Sequence, residues 1–157
     1  MCGSVAASPG VVLHTQSGQE FTALVLEVFR FNGRLLSAGD RLAKPLQLTS
    51  ARWQVLGAIE DSPLSVARIA RNMGLTRQSV QRLSDRLEQE GFVEYEPNPE
   101  HRRAKLVRLT QKGTTLMGEI WKRQTEWANR VTAEISAHEI QAALTVIRKL
   151  RLKLEDP

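Results

Sequence analysis

The chain has 157 residues, 41% hydrophobic and 25% charged, a size and composition that fit one ordinary globular unit or two lobes sharing a core. No apolar run approaches the roughly 18 residues of a membrane span, and the start "MCGSVAASPGVVLHTQSGQE" has neither a basic segment nor a long apolar one to serve as a leader, so a cytoplasmic protein is expected. A single cysteine, Cys2, excludes an intrachain disulfide and a multi-cysteine zinc site, while the net charge of +5 favours an anionic partner, most simply nucleic acid.

Residues 1–19 are small, polar and turn-prone, which predicts an ill-ordered arm. From Glu20 the pattern changes: Leu24, Val28, Phe31 and Leu35 recur at helical spacing and predict a first helix to about Leu42, ending before Pro45. A second helix, capped by Thr49 or Ser50, carries Trp53, Leu56 and Ile59 and is stopped by Pro63. Ser65 caps a short third helix whose Val66, Ile69, Ala70 and Met73 form one stripe, broken by Gly74. Thr76 caps the fourth, with Val80, Leu83 and Leu87 facing inward and Gly91 at its end. Two helices joined by a short glycine turn make a helix-turn-helix signature. "FVEYE" and "KLVRL" follow as two strands of a hairpin with the long tip "PNPEHRRA". Thr110 opens a long helix to about Glu134, with Gly113 tolerated in its first turns, and a last helix runs from Ser136 or Ala137 to about Leu154. Its Ile140, Leu144, Ile147 and Leu154 form a narrow seam, fit either for another helix or for intrachain core. The fold expected is mainly α with a small β-hairpin wing.

The chemistry concentrates in the middle of the chain. Arg68, Arg71, Arg77, Arg82 and Arg86 precede Arg102, Arg103, Lys105, Arg108 and Lys112. With the apolar side of the fourth helix turned inward, Gln78, Gln81, Arg82 and Asp85 point away from the core and Arg77 lies on the flank. Glutamine can pair bidentately with adenine, and arginine with guanine, in a major groove. Thr76 and Ser79 at the helix start complete the expected contact set. Asp85 would repel phosphate and is expected at the groove edge or on a neighbouring arginine. A helix so placed carries the wing beside the phosphate backbone, where Arg102 and Arg103 can reach an adjacent minor groove and Lys105 and Arg108 meet phosphate or solvent.

The run "LSVARIARNMGLTRQSVQRLSDRLEQEGFVEYEPNPEHRRAKLVRLTQKG" resembles the winged helix of the MarR family of transcriptional regulators, over roughly residues 48 to 113. The resemblance implies a winged lobe at 48–110, a dimerisation helix at 20–47 and C-terminal helices at 111–157 that complete the dimer. It further implies a homodimer on a pseudopalindromic double-stranded operator, usually a repressor, and often a small phenolic or lipophilic ligand that weakens DNA binding. A cavity between the first, second and fifth helices could then be lined by Phe29, Phe31, Trp53, Trp121 and Trp127, with Arg52 near a ligand carboxylate. The family's wing usually reads aspartate-arginine-arginine, and here His101 stands at the aspartate position.

Two other functions compete. An architectural protein that coats DNA needs no base readout, so the glutamine and arginine face argues for a sequence-specific regulator. An enzyme acting on a small aromatic would need a catalytic constellation, and no Ser, His and acid grouping has motif support. No cofactor, metal site or membrane partner is expected.

Overall fold

Why each helix starts where it does is visible in its first turn. The structure, a computed structural model, describes residues 13–155. In order these form α1 (Gln16–Ala43), a short 3-10 helix (Lys44–Leu46), α2 (Ser50–Ala58), β1 (Leu64–Ser65), α3 (Val66–Met73), α4 (Arg77–Gln89), β2 (Val93–Glu96), β3 (Leu106–Leu109), α5 (Gln111–Val131) and α6 (Ala137–Glu155). The hydroxyls of Thr15, Thr49, Ser65, Thr76 and Thr110 each accept the backbone N–H three residues on, satisfying an otherwise orphaned donor. Ser136 and Glu139 bond reciprocally at the start of α6 in a capping box. Gly74 and Gly91 close α3 and α4 at φ 63° and 76°, values that strain any side chain with a Cβ.

The core lies in one lobe, where Val55, Leu56, Ile69, Val80, Leu87, Val93, Val107, Met117 and Ile120 from α2 through α5 are almost wholly buried. The sheet is antiparallel in the order β1-β3-β2, with Tyr95 opposite Val107 and Leu64 on that residue's other side. The strand β1 extends the expected hairpin to three strands. Two residues ahead of a capped helix are too short a segment for an alternating pattern to announce. Gly113 is required rather than tolerated: a Cβ there would stand 2.1 Å from the Phe92 carbonyl oxygen, because α5 starts directly against the base of the wing.

Three boundaries differ from expectation. α1 begins at Gln16, inside the segment expected to be an arm, because Thr15 caps it; the expectations for residues 1–12, Cys2 included, lie outside the described residues. α2 ends at Ala58, well before Pro63, and α5 ends at Val131 rather than near Glu134. The seams of α1 and α6 are not intrachain core: Val28, Phe31 and Leu35 are exposed, as are Ile140, Leu144, Ile147 and Leu154. Among the described residues no helix is long and apolar enough to cross a membrane.

Candidate nucleic-acid interface

The outer face of α4 is fixed by its inner one. Val80, Ser84 and Leu87 are buried, which leaves Arg77, Gln78, Gln81 and Arg82 exposed. Between this face, the start of α3 and the wing lies a cleft of about 320 Å³ whose lining includes Arg77, Gln81, Tyr95, Arg103 and Lys105. Helix and wing residues separated by more than twenty positions thus meet at one concave surface. Gln78, Arg82 and Arg102 stand exposed outside the cleft lining. The Thr76 hydroxyl oxygen accepts the Ser79 amide at 3.1 Å, so its first task is to start the helix, and Ser79 is half-buried.

The basic residues divide into two sets. Arg77, Arg82, Arg102, Arg103 and Lys105 are exposed and make no ion pair among the described residues. Others are already occupied. Arg108, expected at phosphate or solvent, is held by Glu94 at 2.5 Å and Glu96 at 3.0 Å across the hairpin, because both glutamates share its face of the sheet. Lys112 donates to the Glu90 carbonyl at 2.7 Å and lies over the Phe92 ring, so it anchors α5 rather than extending the wing. Arg86 pairs with Glu90 one turn along α4 at 2.6 Å. His101 is exposed, and its backbone shapes the tip: its N–H donates to Asn98 and its carbonyl accepts from Ala104.

Asp85 pairs with no arginine among the described residues. Its Oδ1 accepts the Tyr95 hydroxyl at 2.8 Å and the Gln81 amide nitrogen at 2.7 Å, and that nitrogen is also 2.9 Å from the Tyr95 oxygen. Burial first, and then the bond to Asp85, hold the Tyr95 phenol well above its ordinary range, so it keeps its proton. Sequence reasoning passed over Tyr95, although the alternation in "VEYE" puts it on the same face as buried Val93.

A second concavity, about 380 Å³, lies between α1, α2 and α5 and is lined by Leu35, Leu36, Trp53, Met73 and Trp121 among others. The Trp121 Nε1 donates to Glu60 at 2.5 Å. The structure brings Trp53 and Trp121 together here but not the other four expected residues, Phe29, Phe31, Trp127 and Arg52. Arg52 turns the opposite way, donating to Glu90 of α4 and to the Gln47 carbonyl, because a half-buried guanidinium needs a carboxylate. Phe29 lies in a separate apolar groove of about 430 Å³ between α1 and α6, with Phe21, Ile147 and Leu154.

The sequence matches the MarR family model over residues 46–104, the part of the chain that carries α2, the helix-turn-helix, β2 and the wing tip. Over 140 residues, 88% of this chain and 98% of the relative, it is 35% identical to the uncharacterised protein Rv2011c of Mycobacterium tuberculosis (strain ATCC 25618 / H37Rv). The uncharacterised protein Mb2034c of Mycobacterium bovis matches to the same extent. The chain belongs to the MarR family. It is a MarR-family winged-helix transcriptional regulator rather than an enzyme. Solved structures share the fold: a MarR/EmrR family transcriptional regulator from Acinetobacter sp. ADP1 superposes with a TM-score of 0.78 at 19% identity, over 87% of this chain and 97% of that one. The transcriptional regulator BldR from Sulfolobus Solfataricus gives 0.74 at 20%, over 87% and 99%. A mutant MarR from E.coli complexed with operator DNA gives 0.73 at 22%, over 83% and 95%.

Proposed function

We propose that this MarR-family regulator acts in the cytoplasm as a homodimeric repressor that reads a pseudopalindromic operator and is released by a small aromatic or lipophilic effector. The observation that carries the reading is the cleft between α4 and the wing, where Arg77 and Gln81 face Arg103 and Lys105 and the cations have no protein partner among the described residues. Polar groups on a helix supply base recognition, and a basic tip supplies phosphate contacts, so one surface serves both specificity and affinity. Dimerisation is supported by the exposed apolar seams of α1 and α6, since a lone protomer would leave Phe29, Phe31, Ile147 and Leu154 in water. A dimer would repeat the reading head across a two-fold axis. The concavity at Trp53 and Trp121 supports an effector site, being apolar and shared by a seam helix and the base of the DNA-binding lobe.

Selection from a random duplex pool tests this. Enrichment of an inverted repeat bound as a dimer, at least about a thousandfold tighter than unrelated DNA, is the expected result. Binding of all duplexes alike would favour an architectural role and sink the repressor reading.

A further inference from the structure

The side chain of Gln81 is not free to choose which end of its amide it shows to DNA. A carboxylate has only acceptors, so the group within 2.7 Å of Asp85 must be the Gln81 NH2 and not its oxygen. Tyr95 strengthens the choice, because its hydroxyl donates its proton to the same Asp85 Oδ1 and offers a lone pair to the Gln81 nitrogen. Asp85 belongs to α4 and Tyr95 to β2, so the amide is held from its own helix and from the wing strand together. The oxygen end accepts no hydrogen bond among the described residues, and the residue lines the cleft beside Arg77 and Arg103.

Bidentate adenine recognition needs both ends of a glutamine amide turned to the base, the oxygen to the exocyclic amine and the nitrogen to the ring N7. With the nitrogen tied back, only the first of these remains. We infer that Tyr95 and Asp85 are positioning residues that fix Gln81 as a hydrogen-bond acceptor, so that it reads an exocyclic amine in the major groove, on cytosine or adenine, and not a purine N7. The inference rests on the sequence-specific DNA binding proposed above and adds the polarity of one contact. Asp85, an acidic group on a DNA-facing helix, thereby acquires a use that offsets its repulsion of phosphate.

The test uses the full chain and its selected duplex, with base analogues scanned position by position. Purine replacing adenine, or 2-pyrimidinone replacing cytosine, removes the exocyclic amine, and 7-deaza bases remove N7. At one position in each half-site, amine removal should weaken wild-type binding about fivefold, the equivalent of one hydrogen bond, and N7 removal there should have no effect. Gln81→Ala should abolish the amine penalty, which separates the contact from any change in duplex stability. Tyr95→Phe and Asp85→Asn should each reduce the penalty to less than about twofold, and Asp85→Asn, which removes a charge that repels phosphate, should also tighten binding to unrelated DNA. A merely structural role would weaken both kinds of binding together. A penalty that follows N7 instead of the amine, or one that survives both substitutions, would overturn the inference while leaving sequence-specific binding intact. A pool without any enriched duplex would remove the underlying reading and the inference with it.

Discussion

Arg52 of α2 meets Glu90 just past the C-terminal end of α4, and through that carboxylate the helix of the aromatic concavity is tied to α4. The Arg52 side chain is 12% exposed and Glu90 25%, whereas Arg86, the other partner of Glu90, is 64% exposed. Burial, and then the nearby Arg86 charge, press the Arg52 guanidinium below its ordinary value, yet Glu90 keeps it paired. Arg52→Ala should therefore cost about 1.5–3 kcal/mol, the range of a hydrogen bond to a charged group. Arg86→Ala should cost less than about 1 kcal/mol, as exposed pairs do. Thermal unfolding of the two variants measures this, and a larger loss for Arg86→Ala would contradict the assignment.

Asp40 supplies a prediction in pH. Its carboxylate accepts the Ser50 amide at 2.7 Å where α1 meets the start of α2, and this bond, with the Ser50 side chain second, lowers its pKa below the usual 3.8. A carboxylate depressed in the folded state contributes stability that is complete above the unfolded value and disappears as pH falls through the folded one. The melting-temperature gap between wild type and Asp40→Asn should be constant above about pH 5 and shrink below about pH 4. A gap that stays constant down to acid pH would show that the charge does not matter.

Trp53 and Trp121 line one concavity and Phe29 another, so a ligand of the first should ignore substitutions in the second. A small phenol titrated into the protein should quench tryptophan fluorescence and weaken DNA binding. Trp53→Ala should raise its dissociation constant by up to about tenfold, the worth of one aromatic contact. Phe29→Ala should leave it unchanged. Equal effects of both would place the effector between α1 and α6.

The seam of α6 predicts the assembly. Leu144 and Ile147 are 36% and 46% exposed, and Leu150 is the only half-buried residue of the helix among those whose side chains are described. Replacing Leu144 and Ile147 with lysine, or truncating before Ala137, should give monomeric or aggregating chains in sedimentation. Operator affinity should drop by about 10²–10⁴, because two half-sites are no longer read by one linked unit. A well-behaved monomer with full affinity would refute the homodimer.

Much of this architecture was legible in the sequence because each signal was local. Thr49, Ser65, Thr76 and Thr110 announce helix starts, Gly74 and Gly91 announce ends, and period-2 alternation marks the hairpin. What escaped was relational. β1 exists only because β3 is there to pair with it, and Gly113 matters only because the Phe92 carbonyl lies against it. The same holds for the site. A helical wheel shows that Gln81 and Asp85 share a face, but not that Tyr95, ten residues beyond Asp85, joins them. Counting arginines marks the basic middle of the chain, whereas only the fold distinguishes unpaired Arg103 from Arg108, which two glutamates hold.

That distinction yields a last prediction, at the wing. Taking one cation away from a phosphate lowers the slope of log affinity against log salt by roughly 0.9, so the slope reports the cations that touch the backbone and is insensitive to those that do not. Arg102 and Arg103 are exposed at the tip without an ion pair among the described residues, and Arg103 faces the cleft with Arg77. Changing both to alanine should make the slope shallower by about one to two units and weaken binding to all sequences. Arg108 carries the same formal charge only a few residues away, but Glu94 and Glu96 already neutralise it. Arg108→Ala should therefore leave the slope unchanged, or steepen it slightly if the freed glutamates repel phosphate. A shallower slope for Arg108→Ala would mean that DNA rearranges the hairpin's ion pairs on binding, and an unchanged one for the double tip variant would refute the phosphate contact.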